Sequence, residues 1–152
     1  MSASARLSRS DARRHSFCVI FQLPFHSDEK NQEENLAWLK TLYYEYLEDA
    51  PQGRDDEYID RVIWGAFEKQ AQLDGVIENF LKDWALDRIS RIDLALLRLA
   101  IYEMLNEPDV PLGVAVNEAV ELAKSYGTDD SPAFINGVLG NVARHIKETG
   151  RG

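Results

Sequence analysis

The chain has 152 residues, 45% of them apolar and 28% charged, with one cysteine and a net charge of −9. That length is enough for one domain burying roughly 70% of the surface its unfolded form exposes. The lone Cys18 excludes an intramolecular disulfide. No apolar run is long enough to span a bilayer and no hydrophobic signal segment is seen, so a cytoplasmic protein with no membrane role is expected. The charge is uneven. Residues 1–14 hold Arg6, Arg9, Arg13 and Arg14 against Asp11 alone, a local +3, which leaves −12 for the remainder. An acidic body argues against broad attraction to nucleic acid or anionic membranes. A basic arm still sets the potential within about a Debye length, ~8 Å at physiological salt.

In chain order, Ser8 with Asp11 three residues on reads as a capping box before a helix over Ala12–Leu23 that stops near Pro24. Phe17, Ile20 and Phe21 look inward with Cys18 near them, while Arg13 and Arg14 project from the first turn. Cations there oppose the helix dipole, at a cost of ~0.3–1 kcal/mol each. Either a solvated terminus with incidental arginines or a binding role accounts for them. Residues 25–35 form a polar connector. Leu36, Leu39, Leu42, Tyr43, Tyr46 and Leu47 then mark a helix that runs out before Pro51, and residues 51–56 form the next loop. Residues 28–60 hold eleven acids and three bases. This segment is either a solvated face or a docking surface for a basic protein.

Apolar spacing from Ile59 to Trp84 fits one helix or two, with Gly75 and a phase shift near Leu73 as the place for a bend. Residues 84–89 connect, and Ser90 with Asp93 makes a second capping box. Residues 92–105 are apolar around most of the circumference, interrupted by Asp93, Arg98 and Glu103, which predicts a helix in the middle of a bundle.

After Pro108 and Pro111, the stretch Val110–Ile146 reads as two amphipathic helices and a turn. Leu112, Val116, Ala119, Val120 and Ala123 stripe the first, and Gly127 ends it. Phe134, Ile135, Val138, Leu139, Val142 and Ile146 stripe the second, with Ser131 as N-cap and Pro132 at the first helical position. The turn sets Tyr126, Asp129, Asp130 and Ser131 at one corner. No strand pattern appears. The prediction is all-α, about seven helices in one domain over 1–152, as two packed subdomains of roughly 1–84 and 85–148.

Catalytic signatures are missing. His15, His26 and His145 have no metal-ligand spacing with one another or with Cys18, and no phosphate-binding glycine loop occurs. Gly137 and Gly140 match a G-x-x-G pattern but lie in a helix, where close packing is the better account. No enzyme, cofactor or metal is expected.

Leu86–Leu105, LDRISRIDLALLRLAIYEML, closely resembles the central helix of the NusB family of bacterial transcription antitermination factors, and VPLGVAVNEAVELAKSYGTDDSPAFINGVL resembles that family's most recognisable segment. The arginine-bearing first helix matches more loosely. The resemblance implies an all-helical, non-catalytic RNA-binding protein. It would bind single-stranded boxA of ribosomal RNA leader transcripts with the small-subunit ribosomal protein acting as NusE, and join other Nus factors on RNA polymerase. Carried over by position, Arg9 and Arg13 would contact phosphates within an arginine turn that includes Arg6 and Arg14. Phe21 could offer a ring, Tyr126 and Phe134 would flank bases, and Asp130 and Ser131 would reach base edges. Core packing remains the alternative for Phe21 and Phe134. Asp93 is a candidate partner contact, its rival role being the cap with Ser90. Ser8, Ser10 and Asp11 interrupt the arginine run, which implies weak intrinsic RNA affinity and a larger part for the protein partner. The alternative is a NusB-fold interaction module or homodimer without specific RNA readout. A methyltransferase carrying a NusB-like domain is not expected, since Gly152 leaves no room for a catalytic domain.

Overall fold

A computed structural model of the chain describes residues 8–26, 31–81 and 86–150. Among them are seven α-helices and no strand: α1 (Arg9–His26), α2 (Gln32–Glu45), α3 (Gly53–Glu68), α4 (Gln70–Asn79), α5 (Arg91–Asn106), α6 (Leu112–Tyr126) and α7 (Ser131–Thr149), with a 3-10 turn at Leu86–Arg88. The fold is all-α as the apolar periodicity predicts. Two compact units divide it, Met1–Trp64 and Gly65–Gly152, and the division falls inside α3, whereas the sequence sets its subdomain change near residue 85.

In the first unit, α1 packs on α2. Ala12, Ser16, Val19 and Leu23 form a buried row at spacings of four, three and four, with Phe17 buried beside them at 2% exposure. Ile20, Phe21 and Cys18 are only half-buried. The helix runs through Pro24 rather than stopping before it. Proline there lacks the N–H that would donate to the Ile20 carbonyl, so α1 gives up one intrahelical bond. α2 starts at Gln32, inside the expected connector, because Glu33 and Glu34 suit a helix N-terminus. Likewise α3 begins at Gly53, within the expected loop, and Gly53 enters it at φ 57, which favours glycine. Tyr58, Ile59, Val62 and Ile63 are fully buried along α3.

The second unit is built around α5. Of the ten residues from Ala95 to Met104 all but Arg98 are buried, so the nearly all-round apolar pattern does mark an enclosed helix. α4, α6 and α7 pack against it, and α6 and α7 pack on each other. Burying each Leu or Ile here is worth ~1.5–3 kcal/mol. The polar residues of this helix are buried or partnered to different extents. Ser90 caps α5 by accepting from the Asp93 N–H at 3.1 Å, Arg98 makes a two-pronged bond to Asp74 at 2.7 and 2.9 Å, and Glu103 is 1% exposed. The break between α3 and α4 comes at Lys69, not at Gly75, which lies within α4. α6 turns inward on Ala115, Ala119, Leu122 and Ala123, so Leu112, Val116 and Val120 flank the predicted stripe instead of centring it. α7 buries Ile135, Val138, Leu139, Val142 and Ile146 as expected. A Cβ added at Gly137 or Gly140 would meet nothing within 4 Å, so helix packing inside the chain does not explain these glycines.

Candidate RNA interface

One group of candidate residues, in the first unit, lies at the opening turn of α1. Ser8 Oγ accepts from the Asp11 N–H at 3.0 Å and donates to Asp11 Oδ2 at 2.9 Å. The cap is therefore real, but its return bond runs from side chain to side chain. Arg14 donates to Asp11 Oδ1 at 3.0 Å. That bond, with the one from Ser8, holds the Asp11 carboxyl below its usual range. Asp11 is thus the hub that closes the helix end and offsets the dipole cost of Arg14.

The arginines part ways. Arg14 keeps 41% of its side chain exposed. Arg9 is half-buried, with its guanidinium carbon 3.9 Å from the centroid of the Tyr58 ring, a cation–π contact. Arg13 does not project from the first turn: it is 4% exposed, on the side of α1 that also buries Ala12 and Ser16. Arg6 lies outside the described residues, as do residues 27–30 and 82–85. Phe21 is half-buried, its ring stacked on Phe17 with centroids 5.8 Å apart and planes at 20°. One turn past Asp11, His15 Nδ1 lies 2.6 Å from the Tyr43 hydroxyl. Burial, and then the Arg14 charge, push this imidazole below its usual value.

A separate group of candidate residues, in the second unit, lies at the turn from α6 to α7. Gly127 N–H donates to the Ala123 carbonyl at 2.8 Å, and Ser131 and Thr128 bond three times, once between their hydroxyls at 3.3 Å. The Thr128 N–H donates to Ser131 Oγ at 3.0 Å, and the Ser131 N–H donates to the Thr128 carbonyl at 3.1 Å. Ser131 is consequently 2% exposed and begins α7, so it faces inward as the clamp of the loop instead of reaching out, and it does not act as the N-cap. Asp130 holds that position without a side-chain cap bond. Gly127 is required by space. At φ −91 and ψ −168 any residue fits, but a Cβ would sit 2.5 Å from Ser131 Cβ and Oγ. With the backbone closed this way, Thr128, Asp129 and Asp130 are exposed, Tyr126 is 37% exposed and Phe134 is half-buried.

Asp93, at the start of α5, is 9% exposed, and among the described residues its Oδ1 has no hydrogen-bond partner. Its backbone serves the cap while one carboxylate oxygen is left over, so the cap role does not use up the side chain.

Sequence reasoning missed one polar cluster. Lys40 Nζ lies 2.7 Å from Asp56 and 2.6 Å from Asp60, and the Tyr44 hydroxyl donates to Asp56 at 2.8 Å, which ties α2 to α3. Burial pushes the Lys40 ammonium down, but the two carboxylates outweigh it and leave it raised. Asp56 and Asp60 at four-residue spacing on one helix face were the available signal. Among the described residues no group of histidines, cysteines and carboxylates could hold a metal ion, and no helix is long and apolar enough to cross a membrane.

A profile described as the NusB family matches residues 10–144. The chain belongs to the NusB family. Transcription antitermination protein NusB of Acetivibrio thermocellus is 44% identical over 138 residues, covering 91% of this chain and 90% of that protein. Its counterpart in Bacillus pumilus is 43% identical over 142 residues, covering 93% and 99%. The solved structure of T. maritima NusB superimposes with a TM-score of 0.79 at 35% identity, over 91% of this chain and 92% of that one. A structure of antitermination factors NusB and NusE in complex with dsRNA shares the fold, with a TM-score of 0.74 at 22% identity over 90% and 96%. NusB proteins are non-catalytic transcription antitermination factors.

Proposed function

We propose that this NusB protein binds single-stranded boxA of ribosomal RNA leader transcripts together with the NusE ribosomal protein, and joins the RNA polymerase antitermination complex with other Nus factors in the cytoplasm. The observation that carries this reading is the α6–α7 turn, where Gly127 and Ser131 fix the backbone, Asp130 is exposed and Tyr126 keeps 37% of its surface accessible. Single-stranded RNA is recognised by stacking unstacked bases on aromatic faces and by bonds to base edges, with cations on the phosphates. Tyr126 supplies the face, the half-buried Phe134 offers a second ring, and Asp130 accepts from an exocyclic amine. Ser131 acts by holding the loop. Arg14 and Arg9 are the leading phosphate contacts, joined by Arg6. Arg13 is buried and Phe21 is stacked on Phe17, so neither is a leading contact. For the protein partner, the leftover oxygen of Asp93 is an acceptor awaiting a donor.

Titration of labelled boxA and a scrambled control, with and without NusE, tests this reading. Preference for boxA, strengthened by NusE, is the expected result. Equal affinity for the two RNAs in both conditions would favour a NusB-fold interaction module or homodimer.

A further inference from the structure

α2 carries two apolar rows, one of them buried and the other holding two exposed aromatic side chains. Leu36 and Leu39, exposed by 0% and 1%, seat it within the first unit. A second row at four-residue spacing, Trp38, Leu42 and Tyr46, runs along another side, with Trp38 52% and Tyr46 83% exposed. Burying rings of this size would stabilise a fold, and these two are largely in water. Around them Glu33, Glu34, Glu45, Glu48 and Asp49 are all exposed. The one cation in residues 31–50 is Lys40, and its ammonium is turned onto Asp56 and Asp60 of α3 with 17% of the side chain exposed. The outward side of α2 is therefore aromatic and negative. Glu34, Trp38, Thr41 and Glu45 follow at spacings of four, three and four, so a ring lies between two carboxylates about one to two turns away.

We propose that this side of α2 docks an arginine-rich segment of a protein partner. A guanidinium plane stacks on Trp and Tyr faces while its fork pairs with a carboxylate, and Glu34–Trp38–Glu45 offers both along ~16 Å of helix. An extended peptide covers that length with about five residues. RNA is disfavoured here, because the same carboxylates repel phosphates at short range. The inference does not depend on boxA binding.

Anisotropy of a labelled Arg-Leu-Ser repeat peptide, and of its Lys-Leu-Ser counterpart, against the full-length protein tests the proposal. The parent is expected to bind the arginine peptide more tightly. Trp38→Ala with Tyr46→Ala should weaken that binding about tenfold, as two lost ring contacts imply. Glu34→Gln with Glu45→Gln should weaken it and flatten its salt dependence, while Asp109→Asn with Glu148→Gln leaves it unchanged. Every substituted residue is exposed, and thermal melts confirm folding. Equal binding by the parent and the α2 variants, or equal weakening by the Asp109 and Glu148 control, would overturn the proposal. So would sedimentation showing a parent dimer that the α2 variants abolish, since the occupant would then be a second copy.

Discussion

At the start of α1 the polar side chains hold one another: Asp11 ties Ser8 to Arg14, and Arg9 lies on Tyr58. Between α6 and α7 the backbone closes through Ser131 and Gly127, with Asp129 and Asp130 exposed and Tyr126 37% exposed. The first arrangement keeps cations in reserve, since each must leave an intrachain partner to meet a phosphate. The second keeps its stacking and base-reading groups preorganised. Affinity that comes from the loop should therefore depend on base identity, and affinity from the arginine turn should depend on salt.

The largest expected effect breaks the preorganised side. Gly127→Ala forces a Cβ against Ser131 and, at 2.9 Å, the Ala123 carbonyl, and should cost about 3 kcal/mol, the upper range for overpacking. An unchanged urea midpoint would show that the loop yields. Next, Tyr126→Ala should lose about 2 kcal/mol of RNA affinity with little change in melting, as expected for a stacked base. On the other side of the comparison, Ser8→Ala removes the α1 cap and should lower stability by about 1 kcal/mol. Thermal unfolding reads the loss directly.

Smaller still, Gly137→Ala should stabilise α7 by about 0.8 kcal/mol, because its Cβ meets nothing within 4 Å among the described residues. A simultaneous loss of RNA or NusE binding would show that a partner approaches that backbone. The weakest effect is a pH slope at His15. Its folded value is depressed below 6.5, so its contribution is complete above 6.5 and is lost as pH falls through the lowered value. His15→Gln should flatten stability between pH 7 and pH 5, and identical parent and variant slopes would assign the acid sensitivity elsewhere.

Much of the fold was legible because apolar spacing and caps act locally. Ser8 and Ser90 cap as their spacing predicts, and the apolar run of α5 is buried. The misplacements have physical causes. Arg13 reads as exposed because it is charged, yet it shares the buried side of α1 with Ala12 and Ser16. Ser131 reads as a cap because it precedes proline, but its hydroxyl is taken by Thr128, a choice set by loop closure. The Lys40 cluster joins residues up to twenty apart and depends on tertiary packing, which periodicity does not encode.

The most direct test of the division of labour is the affinity ratio of boxA to scrambled RNA, measured across salt for the parent, Arg14→Ala and Tyr126→Ala in the presence of NusE. The account predicts that Tyr126→Ala collapses the ratio and keeps the salt slope, while Arg14→Ala keeps the ratio and reduces the slope by about 0.7. A parent ratio of one, or a ratio and slope that neither variant changes, would contradict it.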